Sequence, residues 1–196
     1  MSKDTITIRL HRPSVKELSF FFISGALVSV PLTLLIEQFA NPFLSGFSAF
    51  DVTILTVAVS APFVEEFAKA YPLFYRHGET ERSIFNLALF VGLGFGIVEF
   101  FTYVFRFGPQ IIPDRIPGLF FHPASTSITA YGIATKKPVP YYLVASLLHF
   151  ANNFLAVVTP PIVPTSIVIL AITLFVSWQL HDRTREKFVY SNVCQA

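Results

Sequence analysis

Apolar residues in this chain come in long unbroken runs, unlike the alternation of a half-buried strand or the three-and-four spacing of a surface helix. Six runs approach or exceed the roughly 20 residues needed to cross a bilayer as a helix: 18–36, 50–75, 84–107, 117–134, 139–158 and 164–180. Between them, "EQFANPFLSGFS", "RHGETERS", "GPQIIPDRIP", "TKKPVP" and "TPPIVP" hold most of the prolines and polar residues and read as loops. The fourth run is diluted by Ser125, Thr126, Ser127 and Thr129. A helix of that composition is expected to be surrounded by other helices rather than by lipid. The pattern predicts an all-α, polytopic membrane protein with six transmembrane helices, folded as one domain over 1–196.

Composition agrees. Hydrophobic residues make up 53% of the chain and charged ones 13%, where a soluble domain carries about 25% charged. The mean hydropathy is +0.61. A net charge of +2 is too small to point to nucleic acid as a partner, and the partner implied is the lipid bilayer itself. The first run follows a basic segment, as a signal peptide would, but it spans 18–36 and lacks an A-x-A type cleavage site. It is therefore expected to be a transmembrane helix. The single cysteine, Cys194, allows no internal disulfide.

Lysine and arginine placement orients the helices. With the N-terminus in the cytoplasm, eleven of the fourteen fall on cytoplasmic segments and two, Arg106 and Arg115, on an outer loop, with Lys69 inside a span. Both termini are therefore expected to be cytoplasmic. The outer loop, 108–117, reads as a connector or a lid.

Against this apolar background the buried ionisable groups stand out. Only Glu65, Glu66 and Glu99 among the acids, and His122 and His149 among the histidines, fall well inside the runs. A charge near the bilayer centre costs about 2.5–3.5 kcal/mol on insertion scales, so these groups must pair, protonate or face a wet cavity. Glu65 and Lys69 share a helix face at i and i+4, and Glu66 reaches Lys69 at i+3. Just upstream, Pro62 lacks the N–H that would bond Ala58, and a kink there would open carbonyls beside the glutamates. Phe95 and Glu99 are four apart on the third helix, next to a Gly92/Gly96 face suited to close packing. His122 has Ser125 and Thr126 one turn on, and His149 has Asn153. Counting along each helix at about 1.5 Å per residue puts these patches, on helices two to five, in one middle-to-outer band.

Two carboxylates in an enclosed site can hold different protonation states and activate water, while His and Asn can donate to an oxyanion. Carboxylate with two histidines is equally a three-ligand zinc set with one open position. There is no HExxH or GxSxG, and the only cysteine lies in the tail, so zincin, serine-hydrolase and cysteine-protease readings have no support. The other classes open to such a set are helix-gluing polar contacts and a proton relay in a transporter, the latter disfavoured by the lack of a visible repeat.

In order along the chain, "EEFAK" (Glu65, Glu66, Lys69) resembles the EExxK motif of the PrsW family of intramembrane proteases, "FGIVE" (Phe95, Glu99) its FxxxE motif, and "HPAST" (His122, Thr126) its HxxxS/T motif. "HFANN" (His149, Asn153) is similar to the HxxxN motif of the wider group that includes the type II CAAX prenyl endopeptidases. The resemblance implies a membrane-embedded endopeptidase in the cell membrane of a prokaryote, acting on a membrane-protein or membrane-anchored peptide. It implies Glu65 as general base, with Glu66 and Lys69 bracing it. Glu99 would be a second carboxylate on the water or a metal ligand. His122, His149 and Asn153 would be oxyanion donors, or the histidines would join Glu99 in holding Zn²⁺. No organic cofactor is implied. A CAAX-type activity and a catalytically silent scaffold are the alternatives.

Overall fold

The structure is a computed structural model, and it describes residues 12–75, 80–158 and 162–185. Among these there are helices and turns but no strand. Lys3, Arg9, Arg76, Lys187 and Cys194, used above in reading charge and cysteine, lie outside the described residues.

Among the described residues, eight α-helices join into six rods. The first rod is α1 (Val15–Ser24), a π-helical turn (Gly25–Ser29) and α2 (Val30–Ala40). The second is α3 (Ala49–Thr53), a π-helical stretch (Ile54–Ser60), α4 (Ala61–Ala70) and a closing 3₁₀ turn (Tyr71–Tyr75). Then come α5 (Glu81–Phe107), α6 (Ile112–Ala134), α7 (Pro138–Val158) and α8 (Ile162–Arg183). The starts carry ordinary caps: Ser14 and Glu17 form a capping box on α1, Ser48 caps α3, and Thr80 caps α5.

Among the described residues, four stretches are long and apolar enough to cross a membrane: Val15–Phe39, Glu81–Phe107, Pro138–Val158 and Thr165–Arg183. The other two rods match the expected spans in position but not in apolarity. One carries Asp51, Glu65, Glu66 and Lys69; the other carries Asp114, Arg115 and His122 among serines and threonines. These polar side chains are mostly turned inward. Ser125, Thr126, Ser127 and Thr129 are all buried, and Ser127 meets Ser177 of α8 across 2.7 Å. Large apolar residues such as Phe20, Leu34, Phe105, Leu147 and Trp178 stand exposed on the outside, as lipid-facing residues would.

α5 is the central post, packed on one side against α6 and on the other against α1. Glycine makes both contacts possible. A Cβ on Gly92 would stand 2.4 Å from the carbonyl oxygen of His122, and one on Gly94 would stand 2.0 Å from that of Phe22. Neither separation is sterically possible, so the backbones touch only because these side chains are absent.

The segment expected to loop from 108 to 117 is shorter than that. Gly108, at φ +86°, ends α5, a 3₁₀ turn covers Pro109–Ile111, and α6 begins at Ile112. Pro113 sits in the first turn, where a missing N–H breaks nothing, and Asp114 favours the same turn by charge. Arg115 is therefore helical.

Candidate active site

α4, α5, α6 and α7 bring their polar residues together as the spacing predicted. Lys69 is 0% exposed and uses its ammonium on three acceptors: Glu66 Oε1 at 2.7 Å, His122 Nδ1 at 3.0 Å and Ser125 Oγ at 3.4 Å. Phe95 lies beneath it, 5.1 Å from ring centre to Nζ, and packs against His122. An ammonium has no lone pair. The Nδ1 of His122 is thus the acceptor, and its proton sits on Nε2, which donates to Glu99 Oε2 at 2.7 Å.

His149 has the opposite tautomer. Its Nδ1 lies 2.9 Å from Glu66 Oε1, an oxygen that already accepts from Lys69 and from Ser125 Oγ at 2.9 Å. A carboxylate in that position accepts, so Nδ1 carries the proton and Nε2 is left with a free lone pair. That lone pair faces Glu65 Oε2 at 3.7 Å. Glu65 Oε2 is itself buried and has no hydrogen-bond partner among the described residues.

These groups open onto a cavity of about 480 Å³ whose wall includes Glu65, Phe95, Glu99, His122 and His149. Of Glu65, Glu66 and Glu99, Glu99 is the most exposed, its side chain 24% accessible. Glu65, His122 and His149 offer ligand atoms all within 4.8 Å of one another, the right number and kind for zinc. The carboxylate in this cluster is Glu65, whereas Glu99 lies on His122. His149 also meets the outer requirement of a metal-bound imidazole, with its other N–H held by a carboxylate. His122 would meet it only if its Nε2 exchanged Glu99 for the ion and Lys69 released Nδ1.

Two expected residues make hydrogen bonds to backbone carbonyls, although Asn153 also lines the cavity. Thr126 Oγ1 donates to the carbonyl of His122 at 2.7 Å, a bond within α6. Asn153 Nδ2 donates to the carbonyl of Val57 at 2.9 Å, and the reason lies in the second rod. Ala61 N–H bonds Thr56 O, five residues back. In that wider register the N–H of residue 62 would bond Val57 O, but residue 62 is proline. Asn153 supplies the missing donor. The orphaned carbonyl is therefore that of Val57 and not of Ala58, as normal α-helical spacing predicts.

Ser125 bonds Glu66 and Tyr142 hydroxyl donates to Phe63 O at 2.8 Å. Ser125 had a signal, one turn after His122; Tyr142, one of several aromatic residues in its run, had none.

The family model described as PrsW family intramembrane metalloprotease matches residues 13–179. No curated relative and no solved structure matches the chain. The matched stretch takes in the four helices that carry the buried acids and histidines and most of the rods around them, and on that coverage the chain belongs to the PrsW family of intramembrane proteases.

Proposed function

We propose that this chain is an endopeptidase hydrolysing a peptide bond in or beside the transmembrane segment of a membrane-protein or membrane-anchored peptide substrate. As a PrsW-family protease it is a hydrolase that acts within the bilayer; the residue roles are the proposal. One observation carries it. Glu65 Oε2 and His149 Nε2 face each other at 3.7 Å, the first buried and unpartnered, the second with a free lone pair, on the wall of a cavity. Polar contacts that merely glued helices together would satisfy each other.

Glu65, His122 and His149 would hold a zinc ion, which when bound supplies a Lewis acid for water and the scissile carbonyl. Glu99, more accessible than Glu65 or Glu66, takes a proton from the attacking water and returns it to the leaving amine. Glu66 fixes His149 through Nδ1, and Lys69, with Phe95 beneath it, neutralises Glu66. Asn153 and Thr126 act through the helices they tie. The Lys69–His122 contact favours a second reading. In it His122 keeps its Nε2 proton and donates to the oxyanion, while Glu65 activates water directly. The working frame is one domain of six spans in the cell membrane of a prokaryote, with both termini cytoplasmic.

The test is cleavage of co-expressed single-pass reporters, with and without a prenylated end, by the wild type and by Glu65→Gln and Glu99→Gln at equal abundance. Cleavage is expected from the wild type, with each variant slower by about 10²-fold or more. Equal cleavage by all three removes both carboxylates from catalysis. Cleavage of prenylated reporters alone supports the CAAX-type activity, and silence across a broad library supports a scaffold. Bound zinc, measured on purified protein, is expected at about one ion per chain and lost in His149→Ala; an active, metal-free protein favours the second reading.

A further inference from the structure

The catalytic cavity also holds a cation that the chemistry above does not use. Arg115, on the first turns of α6, and Tyr103, on α5, both line it. The guanidinium carbon of Arg115 lies 3.4 Å from the centre of the Tyr103 ring. Its Nε is buried with no hydrogen-bond partner, and it forms no ion pair among the described residues. Its charge is felt by Glu99 without direct contact, and its planar fork of donors suits a bidentate carboxylate or phosphate.

Position along the helices separates this group from the reacting centre. Tyr103 follows Glu99 by four residues and Arg115 precedes His122 by seven, so the stacked pair is rooted about one helical turn, roughly 6 Å, beyond Glu99 along α5 at 1.5 Å per residue. An oxyanion donor must sit at about 3 Å, and the group at that distance from Glu99 is His122 Nε2 at 2.7 Å. An extended peptide advances roughly 3.3 Å per residue, so the offset along α5 corresponds to about two residues of substrate. The way between is open. Gly118 lies on α6 between Arg115 and His122, and a Cβ there would be 3.9 Å from His122 Nε2 and 4.0 Å from Glu99 Oε2. Glu37 and Asp114 line the same cavity without pairing with Arg115 and would repel an acidic side chain near them, while Arg106, stacked on Phe107, is a second cation on the wall.

We infer that Arg115, stacked on Tyr103, is a specificity subsite that selects substrates with an aspartate or glutamate about two residues from the scissile bond, toward the α5–α6 turn. This rests on the endopeptidase reading for its meaning, but the binding preference is testable without cleavage.

The probes are synthetic single-span peptides with about 20 apolar residues and a polar tail, in which one glutamate, glutamine or lysine is moved stepwise. Their affinity is measured in lipid nanodiscs for Glu65→Gln protein carrying Arg115, Arg115→Gln or Arg115→Glu. At one tail position the glutamate peptide is expected to bind about tenfold tighter than its glutamine counterpart. Arg115→Gln should abolish that difference, and Arg115→Glu should shift the preference to lysine at the same position. No positional preference, or one that survives Arg115→Gln, overturns the proposal. So does an equal loss of all peptides, which would make Arg115 structural. The peptides are then offered to protein with Glu65 intact: Arg115-dependent binding without cutting defeats the endopeptidase reading while leaving the subsite standing.

Discussion

Lys69 is enclosed on every side, and its charge is matched by Glu66 three residues earlier on the same helix. Breaking such a pair from one side leaves an uncompensated charge, which costs about 3–5 kcal/mol. Glu66→Gln and Lys69→Met are each expected to lower stability by about that amount, read as a fall in the unfolding midpoint of purified protein in mild detergent. The Glu66→Leu, Lys69→Met double variant should recover much of the loss, because an apolar pair of similar volume needs no counter-charge. It should not recover activity. Without Glu66, nothing holds the Nδ1 proton of His149 or aims its Nε2 at Glu65. A double variant both stable and active would show that the buried pair serves packing alone.

At the scale of elements, the second rod depends on a side chain from α7. If Asn153 replaces the N–H that Pro62 lacks, then Asn153→Ala should cost about 0.5–1.5 kcal/mol, the net worth of one exposed bond to Val57 O. The same substitution combined with Pro62→Ala should cost less than the sum, since alanine restores the donor. Additive losses would disconnect the two residues. The glycine seams make a second demand: Gly92→Ala, with His122 O in the way, should destabilise by about 1–3 kcal/mol through forced separation of α5 and α6. The sequence carried the helices and their polar faces well, because Glu65 with Lys69, Phe95 with Glu99 and His149 with Asn153 each mark a face through four-residue spacing. It did not carry what depends on one rod's rotation against another. The π register that transfers the orphan carbonyl to Val57 has no periodicity to reveal it. Nor does spacing indicate that Glu65 clusters with the two histidines while Glu99 lies on His122. The early start of α6 was masked by prolines that a first helical turn accepts.

On the scale of the whole molecule, the polar centre is held by the rods least suited to lipid. The two that fall short in apolarity carry Glu65, Glu66, Lys69 and His122, while α5, central and glycine-lined, packs against α1 and α6. The six-span arrangement proposed above predicts that reporters fused to the two termini light up on the same side of the membrane, the cytoplasmic one; opposite sides would require an odd number. The pairing of Glu66 with Lys69 on one helix has a further consequence during synthesis. The ribosome delivers the second rod before α6 and α7 exist, so His122, His149 and Ser125 cannot yet help it. The Glu66–Lys69 bridge is complete as soon as its own turn of helix forms, and the nascent rod then presents the translocon with Glu65 and the juxtaterminal Asp51 rather than four separate charges. A chain of this design carries into the bilayer, already neutralised, the part of its candidate site that would otherwise be hardest to insert.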